Sequence, residues 1–413
     1  MKQMKKFSQV ALTENNPKWE EFVKREKEMY SRPDDVRSPF GRDYTRVLHS
    51  LAYRRLKHKT QVFFNAAGND HICTRIEHVA HVESVSDTIA NYLGLNSELT
   101  KAIALSHDLG HAPFGHHGET VISEWTKKYF AEKFWHEKNG VHFVDNIELL
   151  EDNEKILKNL NLTYAVRDGI ISHCGEVDQN GIKPREQMID LSDFKSPGQY
   201  QAASWEGCVV KLADKFAYLG RDIEDAIRLG YLDKPHQDML KEMAKVSREK
   251  VINTTVIMHN MIINLCENSS IEKGLCLSDE MSQLLDDIKK FNYDYIYRNK
   301  RLNPFMEYSK LVLNQLFECL LSYYRGSDTV NYLDEIHFDN KVFVKDFAKW
   351  LVIYSEELLC TKEWAKEAWE KCDNNKIYGV LETEGQYVRA IIDFIAGMTD
   401  IYAIHSFEEL LKC

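Results

Sequence analysis

The sequence predicts an all-α protein, and three observations predict it. Apolar residues recur with a period near 3.6 through most of the chain, which indicates amphipathic helices. Only eight prolines interrupt the 413 residues, so few positions break that pattern. No repeat or low-complexity tract divides the sequence. A chain of this length can bury a large core and is compatible with two or three domains or with one elaborated helical domain.

Eight helices follow from this period and from the residues that start and stop helices. The helix that begins near Ser97 has Asn96 or Ser97 as its N-cap, because either side chain can accept a hydrogen bond from the first turn. Clusters of Gly, Pro, Asn and Asp mark the loops. In chain order, the expected helices cover residues 18–30, 44–57, 75–93, 97–107, 118–129, 141–150, 205–229 and 345–359. The expected loops cover residues 31–35, 67–70, 110–115 and 195–198.

Composition excludes several classes of protein. The net charge of -11 disfavours binding of polyanions by the whole surface, although residues 1–61 carry seven more basic than acidic side chains. That basic stretch is either a local anion site or a solvated helix face. The nine cysteines never form Cys-x-x-Cys, so we expect neither a disulfide framework nor a thiolate zinc site. We find no signal peptide and no long apolar run, which predicts a cytoplasmic protein without a membrane span.

Histidines are concentrated in one stretch of the chain. Nine of the 16 lie between residues 71 and 142. Within this stretch, His78 is followed about thirty residues later by His107-Asp108, and Asp214 lies far downstream. These residue types can converge on one divalent metal beside a phosphate ester, because mixed imidazole and carboxylate ligands suit a borderline to hard ion. The pattern therefore predicts a hydrolytic metal centre.

Two further segments can serve such a centre. Residues 109–119 are rich in Gly and Pro, so their backbone N–H groups and imidazoles can approach phosphate oxygens. Asp214, Tyr218 and Asp222 follow one another at i, i+4 and i+8, so one helix face presents all three. The alternative for this stripe is a polar solvent face. We expect the aromatic run at 291–297 to pack rather than to stack on bases, and His173-Cys174 to be structural.

These residues resemble the motifs of the HD-domain deoxynucleoside triphosphate triphosphohydrolases, the bacterial dGTPase-like family that also includes the vertebrate HD-domain dNTPase. The resemblance spans about nine-tenths of the chain, and residues 234–378 carry little of it apart from 291–293. Val79 and His81 depart from many relatives, which have a small polar residue and an acid at these positions. The motifs that carry the resemblance lie at 46–50, 54–62, 74–78, 107–119, 136–137, 213–222 and 393–400.

The resemblance implies a fold and a domain organisation. The expected fold is the HD-domain helical fold with additional C-terminal helices. Residues 1–413 would form a single elaborated HD domain. Its catalytic core would cover about 40–235, and a C-terminal helical region would cover about 236–413.

The resemblance also implies a role for each candidate site residue. The metal ligands would be His78, His107, Asp108 and Asp214. The catalytic group would be His116 as the acid, Glu119 as its partner, and His136, which positions the water or contacts a phosphate. The triphosphate contacts would be Arg75, His111 and Lys215. The sugar contacts would be Gln61, Tyr218 and Asp222, where the Tyr218 ring occupies the place of a ribose 2'-hydroxyl.

The activity that the resemblance implies is metal-dependent hydrolysis of 2'-deoxynucleoside 5'-triphosphates, dGTP or several dNTPs, to deoxynucleoside and inorganic triphosphate. The cofactor would be one divalent ion (Mn, Mg, Fe, Co, Ni or Zn), with a second Mg accompanying the triphosphate. Further expected partners are other copies of the chain in a hexamer or tetramer, a nucleotide effector, and weakly bound single-stranded nucleic acid. The basic N-terminal segment is the candidate for the subunit interface or for the effector site. Two alternatives stay open: an HD-type phosphodiesterase or 5'-nucleotidase, and a non-catalytic nucleic-acid-binding regulator.

Overall fold

A computed structural model of the chain describes residues 5–29, 34–63, 71–174, 180–246 and 252–412. Helices dominate these residues, so the all-α prediction is confirmed. In the described ranges the strands form one small sheet, in which Leu149–Glu151 (β1) pairs antiparallel with Leu157–Asn159 (β2), and β2 pairs parallel with Cys372–Asp373 (β3).

The α-helices are α1 Trp19–Val23, α2 Pro39–His49, α3 Leu51–Arg55, α4 Arg75–Leu93, α5 Ser97–Ser106, α6 Gly115–Phe130, α7 His136–His142, α8 Tyr164–Ser172, α9 Trp205–Arg228, α10 Lys234–Val246, α11 Thr254–Asn268, α12 Asp279–Asn292, α13 Asn303–Ser322, α14 Thr329–Glu335, α15 Val342–Tyr354, α16 Glu363–Glu370, α17 Glu384–Ala396 and α18 Asp400–Leu410.

The chain forms two compact units, each assembled from three separate stretches. The first unit comprises residues 1–48, 61–108 and 162–304, and the second comprises residues 49–60, 109–161 and 305–413. The units therefore interleave along the sequence. The expected division at about residue 235 stays a prediction.

The first unit has α9 at its centre. This helix packs against α4, α5, α8 and α11, and most of its length is buried. Ile103 of α5, Phe216 of α9 and Val79 of α4 are fully buried. Burial of each such side chain stabilises the fold by roughly 1.5–3 kcal/mol. The result is a rigid apolar frame from which a few polar side chains project.

In the second unit, α17 packs against α6 and α15. Tyr387 and Ile391 of α17 are fully buried, and the Tyr387 hydroxyl donates to the carbonyl oxygen of Leu320 at 2.6 Å. The Phe394 ring lies 5.2 Å from that of Phe347 on α15. These contacts fix the C-terminal helices beside α6, the helix that follows the loop at 109–114.

Several predicted helices are confirmed. The prediction for 75–93 matches α4, and those for 97–107 and 205–229 match α5 and α9 to within one residue. Asn96 is the N-cap of α5, because its side chain accepts from the N–H groups of Glu98 and Leu99. The predictions for 118–129 and 345–359 fall largely on α6 and α15. The loop at 195–198 is confirmed, and the loop expected at 110–115 is confirmed up to Phe114, since Gly115 begins α6. The loops expected at 67–70 and at most of 31–35 lie outside the described residues.

Three helix predictions are wrong in part. The helix expected at 18–30 ends at Val23, since Lys24 is extended and its carbonyl oxygen accepts from the N–H of Tyr164 at 2.8 Å. The helix expected at 44–57 divides into α2 and α3, because extended Ser50 caps α3 by accepting from the N–H of Tyr53 at 3.2 Å. At 141–150 the chain leaves the helix after Ile147 and enters β1, whose backbone groups pair with β2.

The lengths and apolar character of the described helices bear on membrane crossing. No single helix among them is both long and apolar enough to span a bilayer. The bent pair α17 and α18, with 119° between the two helices, passes the test together, by length and composition only.

Candidate metal centre and catalytic cluster

Three helices of the first unit carry the four predicted metal ligands. His78 lies in the first turn of α4, a turn that Glu77 stabilises by accepting from the backbone N–H of Thr74 at 2.8 Å. His107 caps the C-terminus of α5, and Asp108 follows it. Asp214 lies in the middle of α9. Because α4, α5 and α9 all pack against one another, the four side chains converge.

The distances among these side chains fit one shared ion. The Nε2 atom of His78 lies 2.9 Å from Asp214 Oδ1 and 3.7 Å from Asp108 Oδ2. The Nε2 atom of His107 lies 3.5 Å from Asp108 Oδ1 and 3.8 Å from Asp214 Oδ1. Ligand atoms bonded to one ion at about 2.1 Å lie about 3 to 4 Å apart, depending on the coordination angle. The predicted grouping of these four residues is thus present in the structure.

His107 provides the clearest indication that the group holds a metal. Its Nδ1 lies 2.7 Å from the carbonyl oxygen of Ala104, which can only accept, so Nδ1 carries the proton. The Nε2 atom is buried, faces the other ligands and has no hydrogen-bond partner among the described residues. A metal-binding histidine usually donates its other N–H to a carbonyl in this way. The His173 ring packs edge-on against His107 with centroids 5.0 Å apart, which helps to fix the His107 ring.

The buried charged groups of the site shift one another's pKa values. Burial disfavours the protonated form of His78, but the hydrogen bond and the charge of Asp214, together with the charge of Asp108, outweigh it and raise the pKa of His78. Burial likewise works against the Asp214 carboxylate, yet the His78 contact lowers the pKa of Asp214 to about 2. A divalent cation bound here would replace the proton on His78 as the partner of these carboxylates.

Arg75 contacts one of the predicted metal ligands and also the backbone of Gln61. The Arg75 guanidinium is buried and donates to Asp108 Oδ2 at 2.7 Å, so it orients one of the ligands. It also donates to the backbone oxygen of Gln61 at 3.3 Å. The side-chain Oε1 of Gln61 is buried and has no hydrogen-bond partner in the part of the chain that the structure describes. Lys215, the residue after Asp214, is also buried.

The predicted sugar contact Asp222 has a partner that the sequence analysis did not identify. Asp222 is 2% exposed, and Tyr297 donates its hydroxyl to Asp222 Oδ2 at 2.6 Å. Burial raises the pKa of Asp222 to about 7, although the Tyr297 hydrogen bond opposes the rise. We assigned the aromatic run at 291–297 to packing. The signal that could have found Tyr297 is that a buried acid on an α9 turn needs a donor, and this run offers several hydroxyls.

The second unit contains a separate cluster of three histidines around Glu119. The Nδ1 atoms of His136 and His116 lie 3.3 and 3.7 Å from Glu119 Oε2, and His111 Nδ1 contacts Oε1. The rings of His111 and His136 stack at 3.7 Å. Burial opposes ionisation of Glu119, but the charges of His136, His111 and His116 outweigh it and hold the pKa of Glu119 well below its usual value. The predicted pairing of His116 with Glu119 is therefore present, and His111 joins the same cluster.

The exposure of these imidazoles differs. The side chain of His116 is 69% exposed, whereas those of His136 and Glu119 are 14% and 11% exposed. The Glu119 carboxylate lies among three imidazoles and can orient them through its two oxygens. The accessible imidazole of His116 is thus suited to deliver a proton to a bound molecule, with Glu119 fixing its ring.

Two glycines shape the loop that carries the cluster. A Cβ on Gly110 would lie 2.1 Å from the His136 carbonyl oxygen and 2.2 Å from the N of Gly140, so α7 can approach the loop only at a glycine. A Cβ on Gly118 would lie 1.9 Å from the carbonyl oxygen of Pro113. The Asn139 amide donates to the Gly110 oxygen at 2.7 Å. Direct backbone contact therefore sets the place of His136 relative to the loop.

Comparison with known protein families agrees with this architecture. A family model described as HD domain matches residues 75–219, a range that holds the four predicted metal ligands and the histidine cluster. A second model, described as Phosphohydrolase-associated domain, matches residues 275–334. The first match defines the chain as an HD-domain protein. The second corrects our expectation that residues 234–378 carry little family signal.

Curated relatives identify the family within that class. A deoxyguanosinetriphosphate triphosphohydrolase-like protein of Caldanaerobacter subterraneus subsp. tengcongensis is 32% identical over 376 residues, which cover 91% of this chain and 86% of the relative. Proteins with the same description from Desulfatibacillum aliphaticivorans and Clostridium tetani are 36% and 35% identical, over 69% and 70% of this chain and 74% of each relative. The chain belongs to the deoxyguanosinetriphosphate triphosphohydrolase-like family of HD-domain proteins.

Proposed function

We propose that this protein hydrolyses 2'-deoxynucleoside 5'-triphosphates, dGTP or several dNTPs, to the deoxynucleoside and inorganic triphosphate, with a divalent metal ion as cofactor. The observation that carries the proposal is the convergence of four ligands, with the buried Nε2 of His107 directed into the group. Membership of a family named for triphosphohydrolase activity supports the choice of substrate.

The metal ligands would be His78, His107, Asp108 and Asp214. A divalent ion held by imidazole and carboxylate groups polarises a phosphate oxygen and lowers the pKa of a bound water. Arg75 would keep Asp108 in its ligand orientation through their 2.7 Å hydrogen bond. Arg75, Lys215 and His111 would also neutralise charge on the triphosphate.

The cluster around Glu119 would manage the protons. Water would add to the α-phosphorus and release one proton to solvent, the bond from phosphorus to the 5'-oxygen would break, and that oxygen would take a proton from His116. Glu119 would orient His116 for this transfer through their 3.7 Å contact. His136, the more buried imidazole, would position the water or contact a phosphate oxygen.

The deoxyribose would be recognised by Gln61, Tyr218 and Asp222. The buried Oε1 of Gln61 can accept a hydrogen bond from the 3'-hydroxyl, which would give this oxygen the partner that it needs. Asp222, already held by Tyr297, can serve as a second partner of that hydroxyl. The Tyr218 ring would exclude a 2'-hydroxyl by its volume, so selection against ribonucleotides would be steric.

Product analysis tests the proposal. Purified protein is incubated with each of the four dNTPs and with Mn²⁺ or Mg²⁺, and the products are separated. We expect deoxynucleoside and triphosphate from the wild type and none from Asp214→Asn. Glu224→Gln is the matched control, since Glu224 lies on the same helix, away from the ligands. It should retain full turnover.

Other products would favour the alternatives. Release of monophosphate and pyrophosphate, or turnover of monophosphates and cyclic nucleotides alone, would identify a nucleotidase or phosphodiesterase and overturn the proposal. Tight binding of single-stranded oligonucleotides without turnover under any metal would favour the regulatory alternative. Inclusion of each dNTP as a second ligand tests the predicted effector, and light scattering tests the predicted hexamer or tetramer.

A further inference from the structure

One buried carboxylate of the second unit connects two loops. Asp400 is the first residue of α18 and is 3% exposed. Its Oδ1 accepts from the backbone N–H of Phe114 at 2.8 Å. Its Oδ2 accepts from the backbone N–H of Thr60 at 2.9 Å and from the Thr60 hydroxyl. Three hydrogen-bond donors from two distant segments thus meet on the Asp400 carboxylate. Leaving buried donors or a buried carboxylate without partners would cost free energy of folding.

The contact with Phe114 falls at a strained position of the backbone. Phe114 has φ 64° and ψ 19°, in the left-handed region that favours glycine. A non-glycine residue there costs roughly 1–2 kcal/mol and persists only when its surroundings enforce it. The next residue, Gly115, begins α6, and α6 carries His116 and Glu119. The direction in which α6 leaves the loop therefore depends on how Phe114 is held.

A buried lysine also contacts the backbone of the same loop. Lys59 is 3% exposed, and its ammonium group donates to the carbonyl oxygen of His111 and, at 3.2 Å, to that of Ala396. Lys59 directly precedes Thr60 in the chain. Lys59 and Thr60, together with residues 396–400, therefore hold the backbone of the loop at 109–114 at two points, His111 and Phe114.

We propose that Asp400 is a positioning residue, whose carboxylate clamps residues 111–114 in the conformation that presents His116 and Glu119 to substrate. It acts through the backbone of Phe114 and Thr60 and not on the reacting atoms. The inference rests on the proposed function in so far as the Glu119 cluster is catalytic. Asp400→Asn preserves the volume of the side chain but replaces one acceptor oxygen by an NH₂ group, so the donors on one side face another donor.

Steady-state kinetics with a matched control test this role. Thr399→Ala is the control, because the Thr399 hydroxyl caps the same helix by accepting from the N–H of Tyr402 at 3.1 Å. For Asp400→Asn we expect kcat to fall by about 10- to 100-fold with KM changed by less than about threefold, as for a misplaced catalytic group. Thr399→Ala should lose thermal stability but keep kcat within about twofold. An Asp400→Asn protein with unchanged kcat, or an equal loss in Thr399→Ala, would overturn the proposal.

Two further measurements separate this role from misfolding and from failure of the proposed function. Binding of Mn²⁺, measured by calorimetry, should be unchanged in Asp400→Asn, because all four metal ligands belong to the first unit. Hydrogen exchange reports on the clamp without any substrate. Exchange of the peptide spanning residues 109–118 should accelerate about tenfold in Asp400→Asn and not in Thr399→Ala. If the wild type turns over no dNTP, the proposed function fails, while unaltered exchange in Asp400→Asn would refute the clamp.

Discussion

Replacing Asp222 by asparagine is expected to change how stability depends on pH. The folded protein holds the pKa of Asp222 near 7, against a usual value of 3.8, because the carboxyl is buried. The native state therefore binds a proton that the unfolded state has lost between these two values. The stability contributed by the protonated carboxyl is complete below about pH 4 and is lost as the pH rises through 7. The neutral amide of Asp222→Asn avoids that loss and still accepts from the Tyr297 hydroxyl.

The size of the effect follows from the displaced pKa. A difference of about three pH units corresponds to about 4 kcal/mol across the whole range, and to about 3 kcal/mol between pH 5 and pH 9. Relative to the wild type, Asp222→Asn should therefore gain about 3 kcal/mol of unfolding free energy between these pH values. This gain would oppose function, since Asp222 is the proposed partner of the 3'-hydroxyl.

Urea unfolding in EDTA, followed by circular dichroism at pH 5, 6, 7, 8 and 9, measures the gain. Tyr297→Phe provides a second check: it removes the donor that favours the ionised carboxyl, so the pH-dependent loss of stability should move to higher pH. Glu224→Gln, which also exchanges a carboxylate for an amide on the same helix, is the matched control. A stability difference between Asp222→Asn and the wild type that is flat from pH 5 to pH 9 would refute the burial argument.

Two other predictions concern the pocket and the loop. Tyr218→Ala should raise kcat/KM for a ribonucleoside triphosphate relative to the matching dNTP by at least about tenfold, because the ring that excludes the 2'-hydroxyl is gone; paired kinetics on the two substrates would show it, and an unchanged ratio would remove the steric explanation. Gly110→Ala should lower the urea midpoint by the equivalent of about 3 kcal/mol, since its Cβ would lie 2.1 Å from the His136 oxygen. Gly230→Ala, at φ 69° with nothing within 4 Å of the new Cβ, should cost only about 1 kcal/mol, and equal losses would contradict the close-packing argument.

The sequence was most informative where one helix carries the signal. The helices α4, α5 and α9 have a continuous apolar period, so their bounds could be predicted. The metal ligands near them were implied by the resemblance and stay a prediction. The break at Lys24 could not be predicted, because a contact with the distant Tyr164 determines it and local propensity does not contain such information. The break at Ser50 is a local N-cap on Tyr53, which the apolar period across 44–57 obscured.

The same limit applies to the candidate site. The resemblance implied roles for Arg75 and Asp222, but not that Arg75 is bonded to Asp108 or that Asp222 is bonded to Tyr297. These pairs join residues 33 and 75 positions apart, and a single sequence does not encode which donor reaches which acceptor. Tertiary packing decides that choice, so the partners of predicted site residues emerge only from the structure.

The interleaved stretches of the two units affect the order of events during synthesis. All residues of the first unit have been translated once position 304 leaves the ribosome, whereas the second unit still awaits its third and longest stretch. Domains tend to fold as their residues become available. The four predicted metal ligands are therefore available to come together while the imidazoles around Glu119 still lack the helices that will hold them in place.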